Sequence, residues 1–136
     1  MTKKKVKVRR RAPRRPADEP RRLAVALARS ADEKLGTRTL VLDVRRVTNI
    51  ADYLLITSAT SAPHIRAIAS DMEEAIRKTG GRLHHREGDH NSTWILLDCY
   101  SVIAHIFDEA TRRFYDLERL WGDAKIIQWK SRKRGG

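Results

Sequence analysis

A chain of 136 residues holds one domain with a genuine core and is short for two. With 40% apolar and 34% charged residues it reads as a globular protein carrying extra charge. Its longest apolar runs, such as Trp94-Ile95-Leu96-Leu97, are strand-sized, far below the roughly 20 residues of a membrane-spanning helix. The single cysteine, Cys99, excludes an internal disulfide; lying in an apolar run, it reads as a buried hydrophobe in a reducing compartment.

The net charge of +12 is unevenly placed. Residues 1–22 carry eleven Lys or Arg against Asp18 and Glu19, residues 129–136 add four more cations, and the stretch between is close to neutral at −1. Like-charge repulsion together with Pro13 and Pro16 predicts a disordered basic tail over residues 1–19. The folded region is expected over 20–129, with a second basic tail over 130–136. A direct reader of nucleic acid usually carries its basic patch on the folded surface. Here Lys3, Lys4, Lys5, Arg9, Arg10, Arg11, Arg14 and Arg15 are candidates for non-specific contact with nucleic-acid phosphates, or simply solvated arms. The arm is Arg-rich but lacks the serines and amphipathic pattern of an organellar presequence, so a bacterial cytosolic protein is expected.

In chain order, Ala24, Leu27, Ala28, Ala31 and Leu35 recur at helical spacing and predict a helix from about Pro20 to Leu35, stopped by Gly36. A β-rich run, Thr39–Val44, and a polar turn near Thr48-Asn49 lead to a second strand, Asp52–Thr57. Its four consecutive apolar residues, Tyr53–Ile56, predict cover on both faces. Ser61 caps a second helix with Pro63 in its first turn, a core stripe of Ile65, Ile68, Met72 and Ile76, and a stop at Gly80-Gly81. A short strand near Arg82–Arg86, a polar loop, and a hairpin of Trp94–Cys99 with Val102–Phe107 follow. Asp108 then caps a last helix to about Leu120, with Ala110, Phe114, Leu117 and Trp121 as its stripe. Lys125–Trp129 either adds a strand or packs on the body. The reading is a single α/β domain with a mixed sheet of about five strands packed by helices.

Catalytic constellations are weak. His84 and His85 are adjacent in a strand and point to opposite faces, so they cannot share a metal there. Asp43, Asp52 and Asp98 stand near strand ends, but Val44 and Arg45 follow Asp43 where two-metal nucleotidyl transfer needs a second carboxylate. No phosphate-binding glycine loop and no nucleophile elbow are present. No cofactor is expected, and the chain does not read as an enzyme.

The hairpin is more informative. A turn at Tyr100-Ser101 sets Trp94 opposite Phe107, Leu96 opposite His105 and Asp98 opposite Ile103, all on one face. The other face (Ile95, Leu97, Cys99, Val102, Ala104 and Ile106) is wholly apolar and must be core. Aromatics beside polar groups on the mixed face fit either an interaction hot spot or a surface covered by the last helix.

Several segments in register resemble the Iojap-like ribosome silencing factors. They are Leu42-Asp43-Val44; Asp52–Ile56 with Thr60-Ser61 and His64; Glu87-Gly88, Trp94–Asp98, Val102 and His105; and Tyr115–Trp121. The resemblance spans roughly residues 23–122. It implies a nucleotidyltransferase-like fold without catalytic acids, and binding to ribosomal protein fourteen of the large ribosomal subunit at the face that meets the small subunit. It thereby implies repression of translation by occupancy, and a homodimer. It assigns Trp94, Phe107 and Tyr115 as apolar partner-binding anchors, with Asp98 and His105 as polar elements near the partner or as holders of the hairpin's shape. Asp52 and Tyr53 are expected at a strand start, and Trp121 mainly in the core. The chain departs from the family at Tyr100-Ser101, where Gly-Asp is usual, at Ala59, where glycine is usual, and at Pro63, where arginine is usual. Two rival readings remain: an RNA-binding module driven by the tails, and a residual nucleotidyltransferase.

Overall fold

The computed structural model describes residues 18–130. The tail expectations for Lys3, Lys4, Lys5, Arg9, Arg10, Arg11, Arg14 and Arg15, and for 131–136, lie outside them.

Four helices and six strands make up the described region: α1 (Asp18–Glu33), β1 (Thr37–Asp43), β2 (Tyr53–Ala59), α2 (Ala62–Lys78), β3 (His85–Glu87), β4 (Trp94–Asp98), β5 (Val102–Asp108), α3 (Glu109–Tyr115), α4 (Leu117–Leu120) and β6 (Lys125–Ile127). The sheet is mixed, in the order β3-β4-β5-β2-β1-β6. Lys125–Ile127 supplies the sixth strand by pairing antiparallel with β1, one more than the sequence predicts. Its pairing is followed by Trp129, whose indole N–H donates to the Thr39 carbonyl at 3.0 Å.

At the centre β2 and β5 run parallel, Tyr53 beside Val102 through Ala59 beside Asp108. Every residue of β2 is buried, as its apolar run predicts. The remaining pairings are antiparallel. Both edges, β3 and β6, are three residues long, which leaves little open ladder for unwanted pairing.

Two apolar layers sandwich this sheet. On one face α1 and α2 cover Val41, Tyr53, Leu55, Ile95, Leu97, Val102, Ala104 and Ile106, with Leu27, Ile65, Ile68, Met72 and Ile76 from the helices. The predicted α2 stripe is thus core, and Ser61 caps the helix by accepting the His64 N–H at 3.2 Å. On the other face Leu42, Leu54, Ile56, Trp94, Leu96, Ile103 and Phe107 pack with Val44, Ala51 and Leu117. Among the described residues no long helix covers this second face.

The end of α1 differs from the reading of Gly36 as its stop. Leu35 takes the left-handed backbone conformation (φ 66°), while the Gly36 N–H returns to the Ala31 carbonyl at 2.8 Å. Glycine is required at 36 for space: a Cβ there would lie 2.6 Å from Thr57 Oγ1 and 3.1 Å from the Ala31 carbonyl oxygen. Gly36→Ala is therefore expected to destabilise the fold by about 1–3 kcal/mol, the usual cost of overpacking. A denaturant midpoint equal to that of the unsubstituted protein would contradict it.

Candidate functional site

The β4–β5 hairpin pairs Trp94 with Phe107, Leu96 with His105 and Asp98 with Ile103, the register predicted from alternation. Its turn is tighter than expected for its residues. Tyr100 adopts φ 68°, and the Ser101 N–H donates to the Cys99 carbonyl at 2.7 Å. Left-handed tyrosine is unfavourable unless held. The holder is Asp98, whose carboxylate accepts the Tyr100 N–H at 2.8 Å, while the Tyr100 ring lies 4.1 Å from that of His84. Ser101 in turn accepts N–H groups from Asp52 and Tyr53 at 2.8 and 3.1 Å, tying the hairpin tip to the start of β2. Asp98 is buried, so it shapes the hairpin from inside.

The mixed face of the hairpin is covered. Trp94, Leu96, Phe107, His105 and Asp98 are all buried, and Trp94, Leu96 and Phe107 share an apolar layer with Leu117, Val44, Ile50 and Ala51. The indole N–H of Trp94 donates to His105 Nδ1 at 3.0 Å, which fixes Nδ1 as the unprotonated nitrogen and satisfies two polar groups inside an apolar layer. Gly88 makes room for this strand: a Cβ there would sit 2.7 Å from the Trp94 carbonyl oxygen.

From this buried platform a row of aromatics leads outward. Phe107 is fully buried and Trp94 is 7% exposed, with ring centroids 4.8 Å apart. Tyr115, at 38%, stacks on Trp94 at 4.8 Å, and Phe114, at 79%, meets Tyr115 edge-on at 4.9 Å. Of the five residues expected to contact a partner, Tyr115 alone reaches the surface substantially; Trp94 lies beneath it, touching Phe107 and His105 in turn, while Asp98 is buried at the other end of the hairpin.

The segment presenting these rings departs from the expected continuous helix. Asp108 does cap it, its carboxylate accepting the Thr111 N–H at 2.8 Å. At Asp116 the backbone turns left-handed (φ 47°, ψ 54°) and the helix breaks into α3 and α4. Ala110 and Phe114, read as core positions, are consequently exposed, whereas Leu117 is buried and Trp121 part-buried. In their place Arg112 goes inside. Its guanidinium donates to Ser58 Oγ at 2.8 Å and, through Nε and Nη2, to Glu118 Oε2 at 3.0 and 2.9 Å. Arg38, at φ 51° where the β1–β2 register shifts, reaches Glu109 at 3.2 Å and Glu118 at 3.3 Å. Burial pushes the Glu118 carboxyl upward, but the bonds and charge of Arg112, with Arg38, outweigh it and hold the group below the usual carboxylate range.

Sequence periodicity missed Phe114, Arg112 and Glu118 because a 3.6-residue pattern assumes an unbroken helix. The available signal was Asp116, a residue that tolerates left-handed backbone in the middle of a presumed helix.

The groups considered for catalysis are engaged structurally. The Asp43 carboxylate takes two side-chain bonds from Arg45, at 2.9 and 2.7 Å, which hold it below the ordinary carboxylate range. Burial pushes the Cys99 thiol up to about 12, so it stays protonated near neutrality. Among the described residues no helix is long and apolar enough to cross a membrane.

The family model described as "Ribosomal silencing factor during starvation" matches residues 17–135. The chain belongs to the ribosomal silencing factor family. The ribosomal silencing factor of Bacillus subtilis is 33% identical over 99 residues, which cover 73% of this chain and 84% of that protein. The chloroplastic Iojap protein of Zea mays is 37% identical over 105 residues, 77% of this chain and 46% of that longer protein. A crystal structure of a Chromobacterium violaceum protein superposes with a TM-score of 0.70 at 26% identity, covering 79% of this chain and 88% of the other. Within this family fold, Trp94 serves as the floor of the aromatic row.

Trp94→Ala is therefore expected to destabilise the domain by about 3–5 kcal/mol, the range for emptying a large buried aromatic site. Urea unfolding is the check; a midpoint near that of the unsubstituted protein would place Trp94 outside the core.

Proposed function

We propose that this ribosomal silencing factor represses translation by docking on the large ribosomal subunit and hindering its union with the small subunit. The family relationship supports the ribosomal role, and one observation carries the docking site: the exposed Phe114–Tyr115 edge standing on buried Trp94. Exposed aromatics backed by a rigid, well-packed support are what interface anchors require, since little side-chain freedom is lost when a partner covers them. The partner in this reading is ribosomal protein fourteen, as the resemblance implies, met by the near-neutral body. Binding alone accounts for the effect, so the protein acts by occupancy in the bacterial cytosol without catalysis. Asp43 held by Arg45, and Ser58 held by Arg112, fit a chain whose former polar positions serve the fold.

Two finer elements rest on the resemblance and the charge pattern: contact of the basic tails with ribosomal RNA, and a homodimer in the free protein. Trp94, Phe107 and His105 enter this proposal as supports of the docking edge, Asp98 as the holder of the hairpin's shape, and Tyr115 as the contact.

Phe114→Ala combined with Tyr115→Ala should weaken binding to isolated large subunits by about 2 kcal/mol or more, the scale of an interface hot spot. Both side chains are at least partly exposed, so the thermal transition should move little. Sedimentation of the protein with large subunits, and subunit joining in the same gradients, provide the readout. Removal of residues 1–17 and 131–136 should leave that binding in place while reducing its salt dependence. Undiminished binding by the double variant, or its abolition by loss of the tails, would refute docking through this edge.

A further inference from the structure

We infer that Arg112 and Glu118 are positioning residues for docking: the ion pair of buried Arg112 with part-buried Glu118 locks the left-handed break at Asp116 that turns Phe114 and Tyr115 outward. This rests on the docking role proposed for that edge and assigns it a controlling element.

The geometry of the pair is the basis. Arg112 and Glu118 are six residues apart and make two bonds to one carboxylate oxygen. In an unbroken α-helix, residues six apart lie about 120° apart around the axis and about 9 Å apart along it, so their side chains diverge. The pair therefore requires the break. With the break, the Asp116 N–H still closes on the Arg112 carbonyl at 2.8 Å, and the next turn restarts from the Asp116 carbonyl, which accepts the Arg119 N–H at 3.1 Å. The ion pair is anchored to the sheet by the Ser58 hydroxyl and flanked by Arg38.

A second arrangement is written into the same residues. Ala110, Phe114, Leu117 and Trp121 lie on one stripe of a continuous helix, the pattern that predicts an unbroken element. In that arrangement Phe114 would join Leu117 against the sheet, Arg112 would swing out of its buried site, and the aromatic edge would be withdrawn. The segment is thus balanced between apolar periodicity, which favours one helix, and an ion pair, which favours two.

The test replaces the pair with apolar residues of similar size, Arg112→Met with Glu118→Leu, a change that buried ion pairs commonly survive with the fold intact. Large-subunit affinity should fall about tenfold or more, the loss of roughly 1.4 kcal/mol or greater, while the backbone chemical shifts around residue 116 move to helical values and Phe114 becomes shielded from solvent. Adding Asp116→Gly, which favours left-handed backbone and opposes a continuous helix, should restore much of the affinity and reverse both changes. If the pair variant binds like the unsubstituted protein while Phe114→Ala with Tyr115→Ala does not, the positioning role is wrong and docking through the edge stands. A joint fall in helicity and binding without rescue by Asp116→Gly reduces the pair to a general stability element and overturns the inference. Full binding by both sets of variants removes the docking edge and its control together.

Discussion

The parallel pairing of β2 and β5 governs the rest of the molecule. Two neighbouring strands, buried along nearly their whole length, need apolar cover above and below the sheet, because each face exposes alternate side chains of the same apolar runs. The crossover between them supplies one cover directly: α2 lies in that connection, and α1 packs beside it. The opposite face has no comparable helix pair. It is closed by the turn after β1, the short α3–α4 segment, and Trp121 and Ala124 after it, and the polar groups on that side sit among these small pieces. Trp94 and His105 satisfy one another within it, and Arg112 is drawn in beside Ser58 and Glu118.

Such buried polar groups are costly unless every donor and acceptor finds a partner, and an ion pair taken from water gains little net stability over well-packed hydrophobes. What the Arg112–Glu118 pair contributes is selection between two backbone courses of the same segment. Apolar packing alone would accept either course, since Leu117 serves the core in the observed one and Phe114 could serve in the other. Two charge-assisted guanidinium bonds converging on one carboxylate oxygen are far less tolerant of displacement than an aliphatic contact. The pair thus turns a segment of mixed signals into one defined surface.

The parts of the fold that were legible in the sequence are those where one periodicity applies without competition. Ile65, Ile68, Met72 and Ile76 at helical spacing mark the buried face of α2, and the alternation around Tyr100-Ser101 gives the hairpin register residue by residue. β6 was open because Lys125-Ile126-Ile127 is too short for a pattern, and its pairing with β1 is a long-range contact. The α3–α4 break was missed for a different reason: local periodicity is real there, but a tertiary ion pair overrides it. The same override separates the aromatics. Trp94 and Phe107 look like surface anchors when β4 and β5 are considered alone, and become the interior once Leu117 and the 50–51 segment are placed over them.

That reassignment sharpens what the folded body offers a ribosomal partner. The net charge of the chain lies in its two ends, while the folded middle is nearly neutral, so the body contributes little net long-range attraction to phosphate. A surface of that kind holds a partner through shape and apolar contact, which demand a rigid presentation. The graded row from Phe107 through Trp94 and Tyr115 to Phe114 supplies it, because each ring is braced by one more buried than itself. In the proposed role, long-range charge in the tails would raise the rate of encounter with the ribosome, and the braced edge would set how long the complex lasts. The two functions are then separable in the chain because they are separate in its sequence.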